Sequence, residues 1–456
     1  MQLHDADLRE VRFPVPFFLF CTNMMKHLCS LPVFNVMAAL CFLPAFLHTA
    51  FLYADKTADA LLEEQARKGF AWFCKYREET TGLILDRGPN SLEADNRTTL
   101  SSIAACGYHL SFLPQAVRLG WVEKEEARRQ TRTLLTFVWE HFEHDRGFFC
   151  RFYELRSGKP VPEGEFHVLD TAVFLNGAIV AAVYFGGEIN NLADQLLDRV
   201  EWTTVVMPTS DNRPVLATMI KDGKARDPMD ERSSGALMAY MLAIGSKTHS
   251  IDPELWYNTR CLSGRVGRFD VLNPRTPLFF SHCSLAWQDL TDFQDRDGID
   301  WEEKAKTAAQ ANREYCRLLG GKFQTYHIAN GGWWGITSGD APGGHVEQCL
   351  DETVDGTVWP LGALATVTWI PETVRADIVA WNKSASWKKV NGPYGLSPFN
   401  QDQEWIGSDL IAVDVGRFLL SWANWKEKTI KDLWRKHPVA QNAEKRLHFE
   451  KRRPVK

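Results

Sequence analysis

Acidic residues stand at the start of several apolar segments whose pattern predicts helices. They are Asp170, the adjacent Asp230 and Glu231, Asp355, Asp409 and, one turn further on, Asp414. Each acid alone can be an N-cap, because Asp and Glu are favoured in the first turn of a helix. As a set they indicate more, since buried helices carry few polar residues and these helix starts converge on one rim. Carboxylates paired across a cleft hydrolyse glycosidic bonds: one protonates the leaving oxygen, while the other activates water or attacks the sugar.

Aromatic side chains crowd the segments between the predicted helices. The chain has 17 Trp, 27 Phe and 10 Tyr, and a flat apolar ring suits the CH face of a pyranose. Core packing is the better expectation for a single Trp. However, Trp333 and Trp334 follow Gly331-Gly332 and precede Gly335, where the backbone can approach a ligand closely. We predict that both indoles bind substrate. Further predicted substrate contacts are His282, Trp287 and Tyr394.

Two kinds of helical segment alternate along the chain. Six are apolar on almost every face, which is typical of helices buried on all sides: Leu100–Leu113, Val168–Phe185, Asp230–Gly245, Leu278–Leu290, Gly356–Trp369 and Asp409–Trp422. Six are amphipathic and charged, which is typical of an outer layer: about 59–77, 124–143, 190–202, 252–262, 301–319 and 371–388. This alternation predicts an all-α fold, an (α/α)6 barrel of six inner and six outer helices.

The connections from outer to inner helices are long. They span 78–99, 144–167, 203–229, 263–277, 320–355 and 389–408. In such a barrel all inner helices run in the same direction, so these connections gather over the N-termini of the inner helices. Long ordered loops on a rigid scaffold usually carry function, and the acids lie at this same end.

Composition excludes several classes of protein. The 456 residues are 45% hydrophobic and 24% charged, with a net charge of −5, which excludes a disordered or multi-span membrane protein and does not favour nucleic-acid binding. The sequence has no P-loop, GxGxxG or GxSxG motif. The segment 295–303 only loosely resembles a calcium loop and lacks its full pattern. We therefore predict no metal and no cofactor, and expect a monomer whose partner is an oligo- or polysaccharide.

The N-terminal segment resembles a secretory signal. Between Lys26 and Asp55 there is no Asp, Glu, Lys or Arg, and an apolar stretch is followed by small residues. We expect residues 1–54 to be a signal peptide or N-terminal anchor, with Met25 as the true start and residues 1–24 untranslated. Residues 55–456 are predicted to form one barrel domain with a basic C-terminal tail. The expected location is the periplasm or the medium of a bacterium, with membrane contact only through the anchor.

Several short stretches together resemble one known family, the bacterial putative-glucoamylase domain shared by endo-β-1,2-glucanases. They are 81–87, 102–108, 169–172, 230–231, 243–249, 334–340, 355–357 and 408–414, in the order of the family, over about residues 60–450. The resemblance implies an (α/α)6 barrel and hydrolysis of β-1,2-linked glucans, although a related domain in cyclic β-1,2-glucan synthases rearranges such chains. It implies that Glu231 is the general acid and that Asp170, Asp409 and Asp414 are functional acids. Its motifs also mark Asp86, Arg87, Asp230, Asp340 and Asp355 as substrate contacts.

The sequence departs from the family pattern at three places where substrate would lie, namely 227–232, 344–349 and 401–405. We therefore interpret the chain as an exported hydrolase of a β-glucan, with β-1,2 linkage as the first expectation. The alternatives are a transglycosylase, a hydrolase of another glucan, and a non-catalytic sugar-binding barrel whose acids are only caps.

An inverting mechanism is expected, with Glu231 as acid and either Asp409 or Asp170 as base. Glu231 opens the third predicted inner helix and Asp409 the sixth, so the two lie opposite each other in a ring of six. Packed helices are ~8–10 Å apart. Inversion needs carboxyls ~6.5–9.5 Å apart, whereas retention needs ~5–5.5 Å. Asp170, on the neighbouring helix, is the better partner for a short separation.

Overall fold

Helices form where the sequence alternates between apolar and amphipathic segments. The protein is described from a computed structural model that covers residues 57–93, 98–351 and 353–452. The signal or anchor predicted for residues 1–54 lies outside these residues. In chain order the helices are α1 (57–75), α2 (Ile103–Arg118), α3 (Lys124–His141), α4 (Val168–Phe185), α5 (Glu188–Arg199), α6 (Ser234–Gly245), α7 (Glu254–Tyr257), α8 (Trp301–Leu318), α9 (Pro360–Leu364), α10 (Pro371–Lys383), α11 (Trp387–Val390), α12 (Ala412–Glu427), α13 (Thr429–Trp434) and α14 (Pro438–Leu447).

The helices α2, α4 and α6 are buried on nearly every face, as expected for helices without a polar stripe. Every residue of α6 is buried, and the Ser233 hydroxyl caps it by accepting a hydrogen bond from the Ala236 N–H at 3.1 Å. The helix α4 is long and apolar enough to cross a membrane, but 78% of it is buried inside the protein, so it is a core helix. The helices α3 and α8 instead bury one stripe each.

The close packing of α2 against α4 depends on two glycines that face each other. A Cβ atom on Gly107 would lie 2.4 Å from the carbonyl oxygen of Val173, and one on Gly177 would lie 2.1 Å from that of Gly107. These distances are too short for any side chain, so glycine is required at both positions. The helix α4 also packs against α6, and α2 against α12. Four of the predicted inner helices are therefore neighbours in the order α12, α2, α4 and α6.

Three predicted helices are much shorter in the structure. The segment predicted as the inner helix 278–290 contains only two 3-10 turns, Leu278–Ser281 and Ser284–Ala286. Serine hydroxyls compete with helical hydrogen bonds there: the Ser281 hydroxyl donates to the Leu278 carbonyl at 2.6 Å. Of the predicted inner helix 356–369 only α9 forms, because Val358 pairs with Phe399 as an isolated bridge and Pro360 can start a helix but not continue one. The predicted outer helix 252–262 shrinks to α7.

Strands occupy much of the long connections, so the all-α prediction is wrong in this respect. The strands are β1 (Arg87–Pro89), β2 (Leu100–Ser102), β3 (His144–Asp145), β4 (Phe148–Glu154), β5 (Pro160–His167), β6 (Val206–Pro208), β7 (Pro214–Lys221), β8 (Lys224–Pro228), β9 (Ser263–Val266), β10 (Phe269–Leu272), β11 (Phe293–Gln294), β12 (Ser338–Ala341), β13 (Gly344–Glu347), β14 (Asn391–Gly392), β15 (Gly395–Leu396), β16 (Phe399–Asn400), β17 (Trp405–Ile406), β18 (Asp409–Ile411) and β19 (Glu450–Lys451). The protein is thus mostly helical, with β-structure between its helices.

The largest sheet has seven strands, in the order β2-β4-β5-β7-β6, with β3 on β4 and β8 on β7. Its pairs are antiparallel, with Phe166 opposite Ile220 and Leu100 opposite Glu154. The sequence pattern did not reveal this sheet in part because its central strand β5 contains two prolines and a glycine, residues that usually interrupt strands.

A separate antiparallel pair, β1 with β18, joins the connection after α1 to the start of α12, with Arg87 opposite Ile411 and Pro89 opposite Asp409. This pair brings residues 86–87 next to the acids that precede and open α12.

Candidate functional site

A cavity of about 470 Å³ lies over the first turns of α2, α4, α6 and α12, so the N-termini of these four helices meet. We call this space the central cavity. Its charged lining residues are Asp86, Arg87, Arg151, Asp170, His345, Glu347, Asp414 and Arg417. Apolar wall is supplied by Tyr108, Leu169, Phe279 and Phe280, among others. A space of this size, lined by carboxylates, arginines and aromatic rings, can hold a small polar ligand such as a few sugar units.

Two of the predicted acids, Asp170 and Asp414, face the central cavity, each beside an arginine. The Asp170 carboxylate accepts a hydrogen bond from Arg151 Nε at 3.2 Å, and the Asp414 carboxylate accepts one from Arg417, one turn along α12. Burial raises the pKa of Asp414, although the charge of Arg417 opposes this shift. The cavity therefore contains a carboxyl group that takes up a proton more readily than an ordinary Asp.

A chain of ion pairs leads from the central cavity into the hairpin of β12 and β13. Arg87 donates to Asp86 from Nε at 3.1 Å and to both oxygens of Asp340 from Nη1 at 2.9 Å. His345 Nδ1 lies 3.3 Å from Asp340 Oδ1, and this hydrogen bond raises the pKa of His345. Burial raises the pKa of Asp86. Asp86 and Arg87 thus line the central cavity, where the sequence predicted them to contact substrate. Asp340 does not line this cavity but holds Arg87 and His345 in place through these bonds.

Glu231 faces a second cleft, of about 490 Å³, which we call the Glu231 cleft. Leu169 and Phe280 line both this cleft and the central cavity, so the two spaces adjoin. The Glu231 side chain is exposed, and in the described part of the chain its carboxylate has no hydrogen-bond or ion-pair partner. A carboxyl group without a protein partner at the wall of a cleft can donate a proton to a bound molecule when it is protonated, and can accept one when it is ionised.

Asp230, the neighbour of Glu231, is in contrast fully engaged. Its carboxylate lies 2.7 Å from Arg213 Nη2 and 2.7 Å from Arg260 Nε. Although Asp230 also lines the Glu231 cleft, both of its oxygens are occupied by arginines. Of the predicted Asp-Glu pair, only Glu231 is therefore free to act on a ligand.

Asp409 and Asp355 do not line the central cavity. Asp409 lies in a small adjoining space with Asp340 and Asp414, and its carboxylate accepts a hydrogen bond from the Ser408 hydroxyl at 3.2 Å. Asp355 accepts from the Thr357 N–H at 2.9 Å and from the Gln348 side-chain amide at 2.8 Å. Asp355 is half-buried and stabilises its own turn through these bonds, and its contact with substrate stays a prediction.

Three predicted aromatic contacts are buried in the core instead, so the prediction that they bind substrate is wrong. Trp333 is fully buried and stacks on Trp381, with ring centroids 4.6 Å apart and planes at 9°. Trp334 is 1% exposed, and its indole N–H donates to Asp377 Oδ2 at 2.8 Å. Trp287, also buried, donates to the Ser111 hydroxyl at 2.8 Å. The glycines beside Trp333 and Trp334 serve the turn, since Gly331, Gly332 and Gly335 all have positive φ.

His282 and Tyr394 are also buried and line neither the central cavity nor the Glu231 cleft. Burial lowers the pKa of His282 to about 3, so the ring is neutral and packs on Trp369 at 5.0 Å between centroids. Tyr394 packs against Tyr76 at 5.7 Å. Both are core residues, which corrects the prediction of substrate contact.

Several residues that line the central cavity were not predicted from the sequence. Arg417 follows Asp414 by three positions on a helix, a spacing that pairs opposite charges and that offered a usable signal. Arg151, His345 and Glu347 lie on strands hidden in the predicted loops, so no periodic pattern pointed to them. The departure of segment 344–349 from the family pattern was the one signal for His345 and Glu347. Cys283, 3.7 Å from the Tyr108 hydroxyl, also reaches the cavity wall.

Comparison with known proteins finds one family and several similar structures. Residues 229–438 match the family described as putative glucoamylase. The family resemblance predicted from the sequence is confirmed. The matched stretch contains Glu231, Asp409 and Asp414, but not Asp86 or Asp170.

One curated relative is the exo β-1,2-glucooligosaccharide sophorohydrolase (non-reducing end) of Parabacteroides distasonis, 22% identical over 431 residues. The match covers 84% of this chain but only 57% of the length of that relative. Two solved structures are similar: a putative glucoamylase from Bacteroides caccae (TM-score 0.78, 19% identity, 87% of this chain and 100% of that chain), and the endo-β-1,2-glucanase from Chitinophaga pinensis with sophorotriose and glucose (TM-score 0.77, 21% identity, 86% and 98%). At these identities the structures establish a shared fold.

Proposed function

We propose that the chain is a glycoside hydrolase that cleaves β-1,2-linked glucan. The observation that carries the proposal is the unpaired Glu231 carboxylate on a cleft that adjoins a carboxylate-lined cavity through Leu169 and Phe280. The activities named for the sophorohydrolase of Parabacteroides distasonis and the endo-β-1,2-glucanase of Chitinophaga pinensis support the linkage.

We also propose that the helices close into an (α/α)6 barrel. The neighbours α12, α2, α4 and α6 supply four inner positions. The 3-10 turns between Leu278 and Ala286 pack against α6, and α9 packs against α12, so these two segments take the fifth and sixth inner positions. The shared fold with the Chitinophaga pinensis enzyme supports this closure. Export is proposed from the charge-free segment 27–54.

In the proposed reaction Glu231 donates a proton to the glycosidic oxygen, and an ionised carboxylate activates water on the other face of the sugar. Of the two bases predicted from the sequence, Asp170 faces the central cavity and Asp409 does not, so Asp170 is the first candidate. The walls shared by the two spaces separate Asp170 from Glu231, and substrate lying across Leu169 and Phe280 would contact both acids. Neighbouring helices alone favoured a short separation for this pair, but Asp170 and Glu231 line different spaces. Inversion remains the predicted outcome, because this arrangement leaves room for a water between the sugar and the base.

The test is digestion of a panel of glucans by the full chain. Wild-type protein should release short oligosaccharides from β-1,2-glucan and none from β-1,3-, β-1,4- or α-1,4-glucans, as analysed by chromatography. Glu231→Gln should lower this rate by ~10²–10⁴-fold, as expected for a general acid, while Glu444→Gln, which changes an acid outside both the central cavity and the Glu231 cleft, should leave the rate unchanged. Release from another glucan, or longer products of glucosyl transfer, would reject the proposed linkage or reaction.

A further inference from the structure

The unpaired Glu231 side chain is attached to a tightly fixed stretch of backbone. The Asp230 carbonyl accepts from the Arg260 N–H at 2.6 Å, and the Arg232 N–H donates to the Arg260 carbonyl at 2.8 Å. The Arg232 carbonyl accepts from the Asn273 side-chain amide at 2.8 Å. Glu231 itself forms a bridge with Arg260. Among the described residues the Glu231 carboxylate has no hydrogen-bond or ion-pair partner. Its orientation therefore depends on this backbone and on the neighbouring side chains.

Arg232 is the strongest of these anchors. Its side chain is only 3% exposed, which is unusual for a charged group unless it is paired. The guanidinium donates from Nη2 to the Tyr257 carbonyl at 2.8 Å and to the Thr259 carbonyl at 3.2 Å, and from Nε to the Thr259 hydroxyl at 3.2 Å. Nη1 pairs with Asp297. These contacts use all three nitrogens of the guanidinium group, and four of its five N–H donors.

The partner Asp297 belongs to a loop that is itself rigid. Asp295 Oδ1 accepts from the N–H groups of Asp297 at 3.0 Å and Ile299 at 2.9 Å. Asp295 Oδ2 accepts from the Trp301 indole at 3.2 Å. Asp295 therefore accepts hydrogen bonds within its own loop, and Asp297 pairs with Arg232. In the described residues no group of three or more His, Cys, Asp or Glu side chains is arranged to hold a metal ion.

We propose that Arg232 is a positioning residue that holds Glu231 in place for proton transfer and is fixed in turn by Asp297. The inference rests on the proposed function, because it assigns a role toward the proposed general acid. Arg232 is buried and does not line the Glu231 cleft, so its effect on Glu231 passes through the main chain. A displacement of 1 Å at a catalytic group costs ~10²-fold in rate, so a loosened anchor should lower kcat much more than it changes KM.

The test uses Asp297→Asn, whose side chain is 47% exposed and whose loss removes one charge from the pair. The expected result on β-1,2-glucan is a fall in kcat of ~10- to 100-fold with KM little changed. Arg232→Lys, which retains the charge but loses the fork, should show the same pattern. The matched control is Glu444→Gln, which neutralises the acid of another partly exposed pair, with Arg435 at 3.1 Å, and should leave kcat unchanged.

A double-mutant cycle separates positioning from general loss of structure. In the Glu231→Gln background the residual turnover no longer depends on the acid, so adding Asp297→Asn should lower it no further. An equal loss in both backgrounds, or an unchanged kcat in Asp297→Asn, would overturn the positioning role while leaving the proposed function intact. An inactive wild-type chain would instead reject the proposed function itself. Thermal unfolding checks each variant, and the milder Asp297→Asn keeps the test valid if Arg232→Lys fails to fold.

Discussion

Replacing Trp334 with alanine should destabilise the fold strongly. The indole is 1% exposed, and its N–H donates to Asp377 at 2.8 Å. Trp→Ala in a core costs ~3–5 kcal/mol through lost burial and the cavity left behind. Asp377 stays paired with Arg313, at 2.6 and 2.8 Å, so no unpaired charge adds to this cost. The expected loss is therefore about 4 kcal/mol, a large part of a typical stability of ~5–15 kcal/mol.

Chemical denaturation followed by circular dichroism measures this loss. The control is Trp425→Ala, a half-buried indole, which should cost clearly less. For the folded fraction of Trp334→Ala, KM for long glucans should match wild type, since the indole does not reach the central cavity. A variant with wild-type stability and weakened glucan binding would refute the buried placement and restore the substrate-binding prediction.

Three further outcomes are expected. Gly107→Ala should cost at least ~1–3 kcal/mol, because its Cβ would meet the Val173 carbonyl at 2.4 Å; denaturation of the variant checks this. His109→Phe should make the free energy of unfolding less dependent on pH below pH 7. Burial lowers the pKa of His109 to about 3, so unfolding takes up a proton between about pH 3 and 6.5. Wild type should therefore lose about 2 kcal/mol more stability than the variant from pH 7 to pH 5. Proton NMR of the first product should show an inverted anomer; a retained anomer would reject water activation by Asp170 and imply a covalent intermediate.

Helices with a clear hydrophobic periodicity of their own were predicted well from the sequence. Segments such as 124–143 and 168–185 became α3 and α4 almost as predicted, because their hydrophobic pattern is set by helix geometry. The pattern could not reveal that Val358 prefers a bridge with Phe399, since that partner is 41 positions away in sequence and the preference arises only from tertiary packing.

For the site, the acids were more predictable than the aromatics. Asp170 and Asp414 are acidic residues in otherwise apolar helices. This placement is visible in the sequence and indicates a functional role. Trp333 and Trp334 would lie in the same Gly-rich turn whether their indoles bind substrate or pack in the core. Whether the rings point inward or outward depends on contacts such as Trp381 and Asp377, about 45 positions further along the chain, which no local pattern records.

If Glu231 is the general acid, its loss should matter only for substrates whose leaving group needs a proton. Two substrates that differ in this need test the assignment most directly. The measurement compares wild type with Glu231→Gln on β-1,2-glucan and on a dinitrophenyl β-sophoroside, whose leaving group departs without protonation. General-acid catalysis predicts a loss of ~10²–10⁴-fold on the glucan and little loss on the activated sophoroside. An equal loss on both substrates, or full activity on the glucan, would contradict it.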